Sequence, residues 1–298
     1  MVVGLIGAGE MGSAIGARLR AGGARVVVAL EGRSERTCSF ATDAGLEDVG
    51  DLATMLVEAD VILSIVPPAE AARAVDAIVA SAGSDRPLVA DLNAIAPAAA
   101  RDLARTLARA GLDLVDGSIS GPPPSRADTT RIYLSGSRAD EVAALPLDGV
   151  ERVVVGSEVG LASAVKMSTA SVYKGRVAVL AQALRAAHAN GVLDPVLDDL
   201  VATGLADRER TAETLARASA KAWRYVDEMR QIAATQASVG LPPELFEAFA
   251  VVYAGLAEQA VADAPEQVDG ALSLVDVLER LNAAASGRAG AEVPSGDA

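Results

Sequence analysis

Only three of the 26 basic residues are lysines: Lys166, Lys174 and Lys221. Two of them share one stretch, "KMSTASVYKG", from Lys166 to Gly175. A solvated surface is indifferent to which cation it carries. A site that moves a proton is not, because arginine stays protonated and lysine can be tuned to titrate. Chance placement is the competing account. Eight residues along a helix put Lys174 about 80° round from Lys166, and Tyr173 lies nearer the Lys166 face. Tyr173 and Lys174 are therefore candidate substrate contacts, with a packing or surface role as the alternative.

A second chemical signal is "GLIGAGEMGSAIG", where Gly7, Gly9 and Gly12 keep G-x-G-x-x-G spacing. The pattern follows an apolar strand-like run and opens a helical one, the context in which it signifies dinucleotide binding. Gly7 permits a tight turn, Gly9 lets backbone approach a pyrophosphate, and Gly12 lets helix pack closely on strand. Glu10 and Met11 begin the helix, whose first N–H groups and positive dipole end face the phosphates. The cofactor's identity turns on "ALEGRSERT". A 2'-hydroxyl needs a carboxylate, which Glu31 could supply 19 residues after Gly12. A 2'-phosphate needs guanidinium and hydroxyl groups, and Arg33, Ser34 and Arg36 follow at once, with Thr37. NADP is favoured over NAD, Arg36 being also readable as part of a solvated loop. Ser118 and Ser120, beside Gly121, are hydrogen-bond donors where a strand should end, the end at which open α/β sheets bind ligands. The one histidine, His188, has no ligand partners at metal spacing, so no metal site is expected. Cys38 has no base partner and reads as an inert thiol.

These groups need a scaffold. "VVGLIG", "RVVVAL", "ADVILSIV", "PLVADLN", "LDLVDGSIS", "TRIYLSG" and "RVVVG" read as strands, several of them continuously apolar as buried parallel strands are. Helical patterns alternate with them, which implies an α/β fold: a Rossmann-like doubly wound parallel sheet over about 1–158. From 159 to 298 no strand-like run occurs, and helical patterns at about 159–190, 209–219, 222–239 and 242–261 predict an all-helical C-terminal domain. The last segment, 285–298, is small, polar and without periodicity, and is expected to be disordered.

Composition narrows the function. Hydrophobic residues are 51%, charged residues 22% and aromatics 3%, so the core must be Ala, Val and Leu. A net charge of -14 argues against nucleic-acid binding, which needs a positive footprint. It does not exclude an anionic small ligand held by backbone dipoles and a few arginines. A single cysteine excludes an internal disulfide and fits a reducing compartment, so a cytoplasmic location is expected. No basic segment precedes the first apolar run and no apolar run reaches membrane-spanning length, so neither a signal peptide nor a membrane span is expected.

On these motifs the chain resembles the β-hydroxyacid dehydrogenase family, which includes 3-hydroxyisobutyrate dehydrogenases, imine reductases and, more distantly, 6-phosphogluconate dehydrogenase. "GRS", "GPPP", "YKG" and the Trp223–Met229 element are similar to its phosphogluconate-dehydrogenase-like NAD(P)-binding branch. The resemblance implies that Val66, Pro67 and Pro68 of "SIVPP" lie against the cofactor, joined by Asn93 of "DLNAIAP". It implies substrate binding by "DGSISGPPP", where Asp116, Ser120 and Gly121 match and Ser118 and Pro122 depart. The catalytic lysine falls on Lys166, and the asparagines that follow it in the family are replaced by Thr169, kept as a candidate substrate contact, and Ala170. A homodimer built on the helical domain and an active site between domains are implied too. The expected function is NADP-dependent hydride transfer to or from a small β-hydroxy acid or related carbonyl compound, Lys166 moving the proton. Imine reduction is the alternative, and a cofactor-binding regulatory protein without turnover the reading from another class.

Overall fold

The computed structural model describes residues 1–84, 86–125 and 129–283. The expectation of a disordered 285–298 lies outside the described residues. Strand and helix alternate first: β1 (Val2–Ile6), α1 (Glu10–Ala21), β2 (Arg25–Val28), α2 (Glu35–Asp43), β3 (Glu47–Asp48), α3 (Leu52–Glu58), β4 (Val61–Ser64), α4 (Ala71–Ser81), β5 (Leu88–Asp91), α5 (Pro97–Arg109), β6 (Leu114–Ser120), β7 (Arg131–Ser135), α6 (Ala139–Ala143) and β8 (Glu151–Gly156). Helices follow: α7 (Leu161–Ala189), α8 (Leu193–Ala202), α9 (Thr211–Ser238), α10 (Glu244–Glu258) and α11 (Leu274–Asn282). The chain falls into two compact units, residues 1–169 with 234–241, and residues 170–233 with those from Pro242 onward.

In the first unit eight strands form one sheet in the order β3-β2-β1-β4-β5-β6-β7-β8. Period-two alternation builds its two cores. Val3, Leu5, Val26, Val28, Leu63, Ala90 and Val115 face one way, with Ile15 and Leu19 of α1 and Val142 of α6. Ile6, Val27, Ile62 and Val89 face the other, with Met55 of α3, Val75 and Ile78 of α4 and Leu103 and Leu107 of α5. Both faces are therefore covered, which is why these strands read as unbroken apolar runs. The departure from the expected parallel sheet is β7, which pairs antiparallel with β6. A parallel neighbour needs a crossover of a dozen or more residues. The link 121–130 is shorter, so the chain turns straight back.

The strand order reverses between β1 and β4, the switch point at which doubly wound sheets bind nucleotides. Because β1, β4, β5 and β6 are parallel, Ile6, Ser64, Asp91 and Ser120 end them on one edge of the sheet.

The second unit is helical. Leu184 of α7, Leu197 of α8, Met229 and Ile232 of α9, Leu256 of α10 and Leu281 of α11 are buried in it. Helical patterns at 209–219 and 222–239 prove to be one continuous helix, α9. The apparent gap is a run of small residues, Ala218, Ser219, Ala220 and Ala222, all buried. Their size lowers the hydrophobic signal but admits the chain beyond α10, whose Val261 N–H donates to Ser219 Oγ at 3.1 Å.

Candidate active site

The loop after β1 has the geometry its glycines suggest. Gly7 has φ +92°, a left-handed conformation, and a Cβ there would collide with the Ile65 carbonyl at the end of β4. A Cβ on Gly12 would collide with the Gly7 carbonyl, so this glycine lets α1 sit against the turn. Gly9 differs: nothing lies within 4 Å of the position its Cβ would take. It is the N-cap of α1 and supplies no side-chain cap. The side chains of Ser34, Asp51 and Ser273 cap α2, α3 and α11, while α4, α5, α6, α8 and α10 share with α1 the lack of a side-chain cap, so it is the open space at Gly9 that sets this terminus apart. An uncapped helix N-terminus beside open space is a cradle for an anion. Glu10 and Met11 form its first turn, half-buried, and Gly12 is buried behind them.

Beyond β2, Glu31, Arg33, Ser34 and Arg36 are all exposed. The Ser34 hydroxyl meets the Thr37 hydroxyl at 3.0 Å and accepts from the Thr37 N–H, so its first task is to start α2. The Arg36 guanidinium lies over the Phe40 ring, 5.5 Å from its centre. That stacking fixes the stem of one arginine while Arg33 stands exposed beside it.

The turn after β4 is tied to the turn after β5 by Asn93. Its Oδ1 accepts from Val66 N–H at 2.6 Å, and its Nδ2 donates to Ser64 Oγ at 3.1 Å and Asp91 Oδ2 at 2.7 Å. Asn93 is 3% exposed. Its side-chain amide, engaged on both sides, holds the two turns together. Val66, Pro67 and Pro68 lie at the turn it holds, Pro67 exposed and the other two half-buried. Asp91 beneath is fully buried. Burial pushes its carboxyl up to about 7 against the lowering donors of Asn93, and the negative Asp116 on the neighbouring strand adds to the rise.

Asp116 and Ser118 share one face of β6, two residues apart, and both meet the start of α7. Asp116 Oδ2 accepts from Ser135 Oγ at 2.9 Å, Gly160 N–H at 2.9 Å and Ser163 N–H at 3.1 Å, and its Oδ1 from Ser163 Oγ at 2.6 Å. Ser135 Oγ accepts from Ala162 N–H at 3.1 Å. The Ser118 hydroxyl, expected at a substrate, instead donates to the Ala162 carbonyl at 2.9 Å and is fully buried. Ser120 stands half-buried at the strand's end, followed by Gly121 at φ +100°. Arg18 and Thr130 hold the proline loop by donating to the Pro124 and Pro122 carbonyls. Lys166, half-buried on the second turn of α7, donates from Nζ to the Ile119 carbonyl at 2.7 Å. Its ammonium therefore lies at the end of β6, on the ligand-binding edge of the sheet. One turn on, Thr169 turns its hydroxyl back onto the Val165 and Lys166 carbonyls, and Ala170 is buried.

Lys174 is engaged within the second unit. Its ammonium is paired with Glu228, lies 4.3 Å from the centre of the Tyr225 ring, and is mostly buried within the second unit. Tyr253 donates to the Lys174 carbonyl at 2.7 Å. Tyr173 is 69% exposed. The docking network of Asp116, Ser135, Gly160 and Ser163 escaped the sequence reading. A hint existed, since polar residues inside a strand buried on both faces must have partners. Among the described residues no cluster of His, Cys, Asp or Glu could hold a metal, and no helix is long and apolar enough to cross a membrane.

Comparison with known proteins adds to this geometry. Residues 2–147 match the NAD binding domain of 6-phosphogluconate dehydrogenase, and residues 187–256 match a domain of unknown function, DUF1932. A conserved protein of unknown function, whose solved structure reveals structural similarity with 3-hydroxyacid dehydrogenases, is 30% identical; the match covers 87% of this chain and 97% of that one, with TM-score 0.65. The 3-hydroxyisobutyrate dehydrogenase of Mycobacterium tuberculosis, solved with L-serine, is 19% identical over 94% of this chain and 98% of its own, with TM-score 0.68. An imine reductase of Streptomyces aurantiacus is 20% identical over 94% and 99%, with TM-score 0.54. The last two are likenesses of fold.

Proposed function

The chain belongs to the β-hydroxyacid dehydrogenase family, in its 3-hydroxyisobutyrate dehydrogenase-like group of NAD(P)-dependent oxidoreductases, and from that membership we propose an NADP-dependent enzyme in which Lys166 is the general acid and base. The observation that carries the reading is the pairing of two features on one sheet edge. The uncapped N-terminus of α1 opens beside the space at Gly9, and Lys166 Nζ is held at the end of β6. Gly7, Gly9, Glu10, Met11 and Gly12 would hold the pyrophosphate through backbone N–H groups, and Val66, Pro67 and Pro68 would flank the dinucleotide. Arg33, with Ser34 and Arg36 beside it, would meet a 2'-phosphate. The bound nicotinamide supplies a hydride donor or acceptor.

The residues of the chain do the rest. Ser120 and the backbone at Gly121 orient an oxygen-bearing substrate. In the reducing direction Lys166 gives a proton from Nζ to the substrate heteroatom, and in the oxidising direction its free amine takes that proton. The Ile119 carbonyl keeps Nζ in place throughout. Thr169, Tyr173 and Lys174 were the further candidate contacts. The Thr169 hydroxyl is turned onto its own helix, Tyr173 is exposed, and Lys174 is paired with Glu228 inside the helical unit.

A small β-hydroxy acid or its carbonyl counterpart is the substrate class proposed first. Imine reduction is the second reading. It is favoured by the position after Lys166, where Thr169 is turned onto its own helix and Ala170 is apolar and buried, so neither offers an amide anchor. Absorbance at 340 nm tests both: NADP with hydroxy acids in one direction, NADPH with cyclic imines in the other. Turnover in one arm selects the substrate class. NADPH binding without turnover in either arm would favour a cofactor-binding regulatory protein.

A further inference from the structure

We infer that Asp116 is a positioning residue for Lys166, acting as a remote cap that fixes the rotation and height of α7. The inference rests on the proposed role of Lys166 for its catalytic consequence, though not for its geometry. A helix begins with four N–H groups that have no partner within the helix. At α7 these are met as follows: Gly160 and Ser163 donate to Asp116, Ala162 donates to Ser135 Oγ, and Leu161 donates weakly to the Glu158 carbonyl at 3.5 Å. Most of the capping is thus supplied by β6 and β7, whose Asp116 and Ser135 are register partners, and not by the residues just before the helix.

A local cap would start the helix without placing it. A cap on the sheet places it, because Asp116 is fully buried and accepts four hydrogen bonds at once. Ser118 adds a bond in the opposite sense, donating to the Ala162 carbonyl from the same strand face. Gly160 completes the device. It has φ +105°, a conformation that L side chains rarely adopt, and a Cβ there would press on the Pro97 carbonyl at 3.2 Å, so glycine suits the position from which its N–H reaches Asp116. Lys166 lies three residues beyond Ser163, one helical turn, and its Nζ meets Ile119 between Ser118 and Ser120 on the same strand. One strand therefore holds both the helix start and the ammonium, and a slip of the first displaces the second.

The test uses the full chain and its three lysines. Competitive acylation of amines across pH, read by peptide mass spectrometry, follows Lys166, Lys174 and Lys221 separately. Asp116→Asn and Ser163→Ala are compared with the unmodified protein, and Ser273→Ala serves as a control that removes a helix cap elsewhere. We expect the acylation rate of Lys166 at fixed pH to change at least threefold in Asp116→Asn and in the same direction in Ser163→Ala. Lys174 and Lys221 should keep their rates, and Ser273→Ala should leave all three unchanged. In Asp116→Asn turnover should fall tenfold or more with NADPH affinity held within twofold. A folded Ser163→Ala with the native Lys166 profile overturns the inference, and decides alone if Asp116→Asn does not fold. A changed Lys166 profile with unchanged turnover leaves the positioning role standing and removes the general acid–base role of Lys166.

Discussion

Two arginines three positions apart differ in their surroundings. Arg36 is stacked on Phe40, whereas Arg33 stands at the surface after β2. A charge-assisted contact between a guanidinium and a phosphate is worth about 1.5–3 kcal/mol, and 1.4 kcal/mol is tenfold in affinity. NADPH should therefore bind at least tenfold more tightly than NADH, and Arg33→Ala should remove most of the preference. Equal affinities in the unmodified protein by calorimetry would return Glu31 to the role of ribose reader. Asp91 gives a second residue-scale expectation. Its carboxyl is raised from the ordinary 3.8 to about 7 by burial, so between those values the folded chain holds a proton that the unfolded chain has lost. Its contribution to stability is complete below pH 4, declines as pH rises, and is gone above about 7. Relative to Asp91→Asn, the unmodified protein should lose unfolding free energy as pH rises through that window. Parallel stability curves for the two proteins would mean that Asp91 ionises normally when buried. Residue type and spacing singled out Lys166 and Gly9 as candidates. They could not show that Lys174 is paired with Glu228 or that Ser118 faces Ala162, because those partners are distant in sequence and are chosen by the fold.

At the scale of elements, the strands and the glycine loop were readable because their signals are local. An apolar run buried on both faces, a turn with φ above zero and a helix opening without a cap each leave a mark within a few residues. The antiparallel β7, the two-residue β3 and the continuity of α9 were less readable, since link length, edge pairing and a run of small residues leave weak marks. The loop yields a sharp expectation. Gly9→Ala adds a methyl group to open space at an allowed φ of -75°, so the apo protein should keep its melting temperature within about 2 °C. Dinucleotide affinity should fall tenfold or more. Gly7→Ala, forced into φ +92° against the Ile65 carbonyl, should lower the melting temperature instead. Thermal melts with and without NADPH separate the two. A Gly9→Ala protein that binds NADPH normally would take the pyrophosphate away from this loop.

For the whole molecule, the second unit exposes Val172, Tyr173, Val179, Trp223, Leu245 and Val251. So much apolar surface on helices argues for a partner, and a homodimer is the expected assembly. Light scattering at micromolar concentration should give twice the 30.1 kDa of the chain, and a mass of one chain would remove the dimer. The charge of -14 argues from composition alone against a nucleic-acid partner. The substrate was not legible at any scale, because the positions that differ from the family, Thr169 and Ala170, say what the site lacks. The proposed chemistry depends on proton transfer by Lys166, and one comparison reaches it most directly. Turnover at 340 nm, on the compound that supports it, is measured for the unmodified protein and for Lys166→Arg. The substitution keeps the charge and approximate reach but cannot give up a proton near neutral pH. Turnover should fall by roughly 10²–10⁴, the usual worth of general acid–base catalysis, with NADPH affinity unchanged. Undiminished turnover in Lys166→Arg would contradict the account.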